Sequence, residues 1–285
     1  MRLFVGTLAL ALTLAACAGG RPSVAPDAAS GAPTAQLQVA GYTGPIEPIA
    51  TPVPLAYGPA RFGSTVTIGV EGGRGATTRS NSLAAHLSGS LALDGDAVRA
   101  QLVTERIDVD GSSAAGDQPL LIQQLSMDRQ GRLIEIASRW PAHTEPSQPL
   151  PERYKALEDR WRDRLPVFAS AAAGPGAVVY DDTGLLAPLR QMLQNRAFEL
   201  KPTKPLRAVA VGMTSCGPRR CLIARHEGEA DLVAQRGTLH VTTSGYVQID
   251  IVTGLIVNEL ATVTLDGPSG ASRLVMTMRT ETELL

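Results

Sequence analysis

The stretch Ser82–Asp110, SLAAHLSGSLALDGDAVRAQLVTERIDVD, decides the fold. Leu83, Ala85, Leu87, Gly89, Leu91 and Leu93 alternate with smaller or polar residues, and Val98, Ala100 and Leu102 repeat the alternation after Asp94-Gly95. An apolar period of two marks a strand with one buried face, because successive side chains point to opposite sides of a sheet. Asp94-Gly95 suits a tight turn that needs a positive φ, so the two runs predict a hairpin. Between Leu102 and Ile107 the parity slips, as one bulged residue would make it do, and Ile107 and Val109 then resume the pattern.

The same period extends on both sides. STVTIGV places Val66, Ile68 and Val70 on one face, and LLIQQLSMDRQGRLIEIASRW reads as a second hairpin turning at Asp128–Gly131. Residues 61–140 are therefore expected to form a first β meander. Residues 206–285 read as a second, with turns at VTG after Ile251 and at LDGPSGAS after Thr264. Each block carries an Asp-containing turn leading into an apolar strand, SMDRQGRLIEI in one and IDIVTGLIVNE in the other.

Between the meanders, residues 141–205 change period. PERYKALEDRWRDRL sets Tyr154, Leu157, Trp161 and Leu165 at helical spacing behind Pro151, a residue suited to a first turn. YDDTGLLAPLRQMLQNRAF offers Asp182 or Thr183 as a cap for a helix carrying Leu185, Leu189, Met192 and Leu193, with Pro188 tolerable only in its first turn. The expected fold class is thus mainly β with two inserted helices, α+β: two antiparallel meanders forming one unit, as a duplicated curved sheet or half-barrel.

The chain opens MRLFVGTLALALTLAACAGG, with one charge at Arg2 and an apolar run too short for a permanent membrane span. Leu14-Ala15-Ala16-Cys17 resembles the lipobox of bacterial lipoproteins. The resemblance implies a signal peptide over 1–16 and a lipidated N-terminus at Cys17, held to a membrane by its acyl chains. Ala18 in the following position implies the outer membrane for a Gram-negative source. Residues 17–60 are read as lipid anchor and tether, since prolines at 22, 26, 33, 45, 48, 52, 54 and 59 remove donors and fix φ. Tyr42 and Tyr57 are expected to pack on the domain and order the distal part of this segment.

Lipidation of Cys17 leaves Cys216 and Cys221 as a pair, expected to be a disulfide in an oxidising envelope. SCGPRRC opens like a thioredoxin-type site, but four residues separate the cysteines where a redox pair has two. A staple at the neck of a four-residue hairpin loop is the expected role.

Composition excludes several classes. Lys plus Arg is 26 against 27 for Asp plus Glu, so no basic field attracts nucleic acid. Aromatics at 4% argue against a sugar-stacking surface or an aromatic membrane girdle. His86, His143, His226 and His240 fall in no metal-binding spacing, so neither a metal nor a cofactor is expected. HEGE at His226–Glu229 reads as a solvated strand end, and Asp181-Asp182 as helix-capping carboxylates. Ser244 and Ser269 lie in turns without a nucleophile motif, and VEGGRG at Val70–Gly75 reads as a hairpin tip. The chain is therefore expected to be a non-catalytic, lipid-anchored envelope protein that binds a lipid or hydrophobic ligand in a curved sheet, as lipoprotein carriers do. The alternative is an assembly partner in the envelope that uses its sheet surface, and the third reading is a hydrolase, for which the sequence offers no motif.

Overall fold

The computed structural model describes residues 37–74, 77–113, 118–141, 161–162, 164–181, 198–234, 237–267 and 273–285. The strands are β1 (Val53–Pro54), β2 (Ala60–Arg74), β3 (Thr77–Asp94), β4 (Ala97–Val109), β5 (Ser112–Ser113), β6 (Leu121–Asp128) and β7 (Leu133–Arg139), followed by β8 (Ala172–Ala173), β9 (Val178–Asp181), β10 (Phe198–Cys216), β11 (Arg219–Ala234), β12 (Gly237–Asp250), β13 (Ile256–Asp266) and β14 (Arg273–Leu284).

The alternating runs all become strands of one antiparallel sheet, in the order β7-β6-β4-β3-β2-β14-β13-β12-β11-β10-β9, with β5 against β4. The opening stretch forms the β3–β4 hairpin. Asp94 pairs with Ala97 across a two-residue turn in which Gly95 has φ +62°. The parity slip is a bulge at Glu105, since His86 faces Arg106 while Leu87 faces Thr104.

β14 pairs with β2 from Arg273↔Gly73 to Leu284↔Phe62 and so joins the two meanders in one sheet. The expected α+β class with two inserted helices is overturned: the described residues form strands, turns and a single 3₁₀ turn at Trp161-Arg162, with no α-helix. Trp161 and Leu165 are buried as an apolar helix face would be, yet Leu165 already lies in a bend. Pro166 explains the stop, since it lacks a donor and disfavours helical geometry in the residue before it. The remainder of the two helical expectations, Pro151 to Leu157 and Asp182 to Leu193, lies outside the described residues, as do Cys17 with its lipobox, His143 and Ser269.

From Leu37 the Pro-rich segment lies against the sheet. Tyr42 meets Tyr246 edge to face at 5.2 Å, and Glu47 bridges to Met213 on β10. Val53 and Pro54 pair with Ala173 and Ala172. Tyr57 is fully buried, stacks on Phe168 at 5.0 Å and donates its hydroxyl to the Pro166 carbonyl. Burial pushes the Tyr57 phenol well above its ordinary pKa.

This plug reveals the curvature of the sheet. The Tyr57 N–H donates to Arg129 O in the β6–β7 turn, while the next residue, Gly58, donates to Thr253 O in the β12–β13 turn. Five strand spacings separate β6 from β13, about 24 Å in a flat sheet. Consecutive backbone amides bring their acceptors within roughly 10 Å of each other. The sheet must therefore coil around the plug, with the plugged side concave.

The turns at this end are tied by carboxylates. Asp250, fully buried, accepts from the N–H groups of Val252 and Thr253 and from the Thr253 hydroxyl, and its other oxygen faces Arg219 at 3.4 Å. Asp128 does the same for Gln130 and Arg132. The two Asp-containing turns seen in the sequence thus share one mechanism, a side chain standing in for missing turn hydrogen bonds.

Candidate functional site

Strand parity assigns each residue to the inner or the outer face. Phe62, Ser64, Val66 and Ile68 of β2 face inward, and the register carries that face to Leu284, Thr282, Thr280 and Met278 of β14. It continues to Glu259, Ala261, Val263 and Leu265 on β13 and to Val241, Thr243, Gly245 and Val247 on β12.

The inner face holds two apolar clusters. The first lies at the plugged end and joins Phe62, Leu91, Leu102, Leu125, Leu222 and Ile249 to the plug residues Leu55, Tyr57 and Phe168. The second lies toward the other ends of the strands. It is built from Val66, Ile68, Leu206, Leu232, Val241, Val263, Leu265, Met276 and Met278, with Val70, Ala85, Leu87, Leu239 and Leu274 half-buried at its margin. Methionine and leucine give it an adaptable, mostly apolar lining.

A belt of polar side chains separates the clusters. On one side of β14, Ser64 Oγ lies 3.0 Å from Thr282 Oγ1, and Thr104 is buried nearby, in register through Leu87. On the other side, Thr280 Oγ1 donates to Glu259 Oε2 at 2.8 Å, and Glu259 Oε1 faces His226 Nε2 at 3.4 Å. The His226 and Glu259 side chains are 0% and 3% exposed. They reach each other diagonally across β12 at Gly245, the residue directly opposite His226 in register. An apolar pair there would fill the space without placing ionisable groups in a low dielectric. The belt therefore divides the inner face chemically where packing alone would not require it.

One sequence expectation changes here. HEGE is not a solvated strand end at His226, which is buried on the inner face. The signal was available, because His226 shares the parity of Leu222, Ala224, Ala230 and Leu232, and Glu259 that of Ala261, Val263 and Leu265. Glu227 points outward instead, between Arg207 Nε at 2.9 Å and Arg225 Nε at 3.0 Å. Burial works to raise its pKa, but the hydrogen bonds from Arg207 and then Arg225, with their charges, outweigh it and hold the carboxyl below its ordinary value.

The three described histidines do not converge. His240 sits on the outer face, 3.0 Å from Asp231. His86, also outward, has Nδ1 3.3 Å from Thr65 Oγ1 and Nε2 2.9 Å from Asp108 Oδ2. A polar cavity of about 540 Å³ opens beside it, lined by Thr65, His86, Glu105, Asn258, Glu281 and Glu283 among others. The hydroxyl–imidazole–carboxylate order resembles a nucleophile relay, but acyl transfer also needs donors aimed at a developing oxyanion. Thr65 lies between β3 and β14 in the sheet, so its surrounding backbone amides are spent on ladder bonds. The array is a cross-strand polar row.

Asp181 is exposed on β9, Asp182 lies outside the described residues, and Ser244 is exposed on β12. Among the described residues, no three of His, Cys, Asp and Glu are grouped to hold a metal.

Cys216 and Cys221 form a disulfide with Cα atoms 5.9 Å apart. The loop is shorter than expected. Cys216 pairs with Arg219 across the two-residue turn Gly217-Pro218, and Cys221 pairs with Thr214, so the bond links diagonal rather than facing positions. Gly217 at φ +62° admits that tight turn.

No family model and no curated protein matches the sequence. Among solved structures, a DUF1329 family protein from Desulfovibrio piger aligns at 11% identity over 77% of this chain and 85% of that one, with a TM-score of 0.19. A Vibrio parahaemolyticus domain, assigned provisionally as an outer membrane lipoprotein-sorting protein domain, aligns at 7% identity over 78% and 85%, with a TM-score of 0.16. Similarity at these TM-scores carries no argument about this chain.

Proposed function

We propose that this chain is a lipid-anchored protein of the bacterial envelope, attached through Cys17, that binds a lipid or another hydrophobic ligand on the concave face of its sheet. One observation carries the reading: the inner face bears a second apolar cluster, set off from the plugged core by the His226–Glu259–Thr280 belt. A single folding core needs no such division. A ligand with an apolar body and a polar end does, since pockets for such molecules combine apolar walls with a few placed polar groups. The acyl chains lie along Met276, Met278, Val263 and Leu265, and the belt meets the polar end.

Native mass spectrometry of the full chain, extracted from membranes in mild detergent, tests this reading. Wild type carries an additional lipid mass beyond its own acyl chains, and Leu274→Lys, at the half-buried margin of the second cluster, loses most of it while remaining folded. A wild-type protein that appears only in its ligand-free mass after gentle extraction counts against the proposal.

A further inference from the structure

We propose that β7 is a self-pairing edge: two copies of the chain join antiparallel through β7, with Ala137 on the two-fold axis. This goes beyond ligand binding and is independent of it. β7 ends the sheet order, and all seven of its residues are exposed. Its exposed side chains include Leu133, Ile134 (67%) and Ile136. An edge strand leaves a row of backbone donors and acceptors unpaired, and natural proteins protect long apolar edges with proline, charged side chains, a bulge or a cover. The sequence LIEIASR contains neither proline nor lysine, and its two charges, Glu135 and Arg139, are of opposite sign and can pair with each other across a symmetric edge. The opposite edge is shielded by comparison, because β9 has four residues and Tyr180 bridges to Phe168.

Register and charge identify the partner as a second copy. The β6 pairing places Glu135, Ala137 and Arg139 on the outer face, opposite Ser126, Gln124 and Ile122, and Ile136 and Ser138 on the inner face, opposite Leu125 and Gln123. Pleat parity requires outer residues to oppose outer residues, so a self-paired β7 can slide only in steps that keep each face together. A two-fold axis at Glu135 or at Arg139 would set like charges opposite each other. An axis at Ile136 would leave both charges facing apolar residues. An axis at Ala137 sets Glu135 against Arg139 of the partner on one side and repeats the pair on the other. Only that register satisfies both charges, and it also places Ile136 beside the partner's Ser138 on the inner face. The bulge between Leu133 and Glu135 limits the pairing to the stretch beyond it.

Cysteine crosslinking of the full chain in membranes reads the register directly. Ala137→Cys meets its own symmetry mate and forms a covalent dimer under mild oxidation, whereas Glu135→Cys and Arg139→Cys alone stay monomeric and crosslink when co-expressed. Sedimentation velocity in detergent reads the charge pairing. Glu135→Arg weakens dimerisation by roughly tenfold, since like charges then face each other twice. Combining it with Arg139→Glu restores the wild-type dimer. Crosslinking of Ala137→Cys no greater than that of Glu135→Cys, or a wild type that stays monomeric at every concentration, overturns the proposal, as does a β7 edge occupied by a different protein.

Discussion

Glu227 lies on the outer face, where Arg207 and Arg225 both hydrogen-bond its carboxylate and hold its pKa below the ordinary value. Its unfolded-state value is about 4.3. A depressed carboxylate contributes stability that is fully present above the unfolded value and is lost as pH falls through the folded one. The stability gap between wild type and Glu227→Gln should therefore be constant at neutral pH. It should begin to close only below about pH 4.3 and vanish in stronger acid. Urea titrations of both proteins at stepped pH measure that gap; one that widens in acid would mean the arginines are not what sets this group. In the β12–β13 turn, the buried Asp250 carboxylate supplies acceptors that the chain reversal removes.

Among the elements, the strands were legible because their apolar residues alternate, and the Glu105 bulge was legible because the alternation changes parity there. The β2–β14 pairing was not, since hydrophobic period fixes which face is buried but says nothing about which distant edge a strand meets. Trp161 and Leu165 were legible as core from their spacing, but the spacing does not show where the turn stops, which Pro166 sets. The polar belt is hidden by residue type, which marks His226 as a surface residue, whereas its parity with Leu222, Ala224 and Ala230 places it on the buried face. The belt makes its own prediction. Glu259→Leu alone strips the buried imidazole of its carboxylate and should destabilise by about 3 kcal/mol, while His226→Leu combined with Glu259→Leu should lose clearly less. Denaturant midpoints of the two single variants and the double variant check this, and a strictly additive double variant would show that the pair does not act together. Gly245 constrains the same place. Its φ of +131° and the approach of an added Cβ to 1.9 Å from Leu260 O reserve the position between them for glycine.

At the scale of the molecule, the eleven strands in one antiparallel order coil around a plug made from both the Pro-rich segment and the chain around Phe168. The plug fills one end of the concave face and ties turns that a flat sheet would hold far apart. The length of the strands carries the inner face past the plug, and the second cluster occupies that continuation. Compartment and attachment rest on the leader and on Cys17, whereas ligand binding rests on this geometry. The central claim is that hydrophobic ligand lies on the second cluster, on the far side of the belt from the plug. Photo-crosslinking with a lipid that carries a diazirine in its acyl chain, followed by peptide mass spectrometry, tests it most directly. The account predicts adducts on Met276, Met278, Val263, Leu265 and their β2 and β12 neighbours. Adducts confined to the outer face, or to the plugged end around Tyr57 and Phe168, would contradict it.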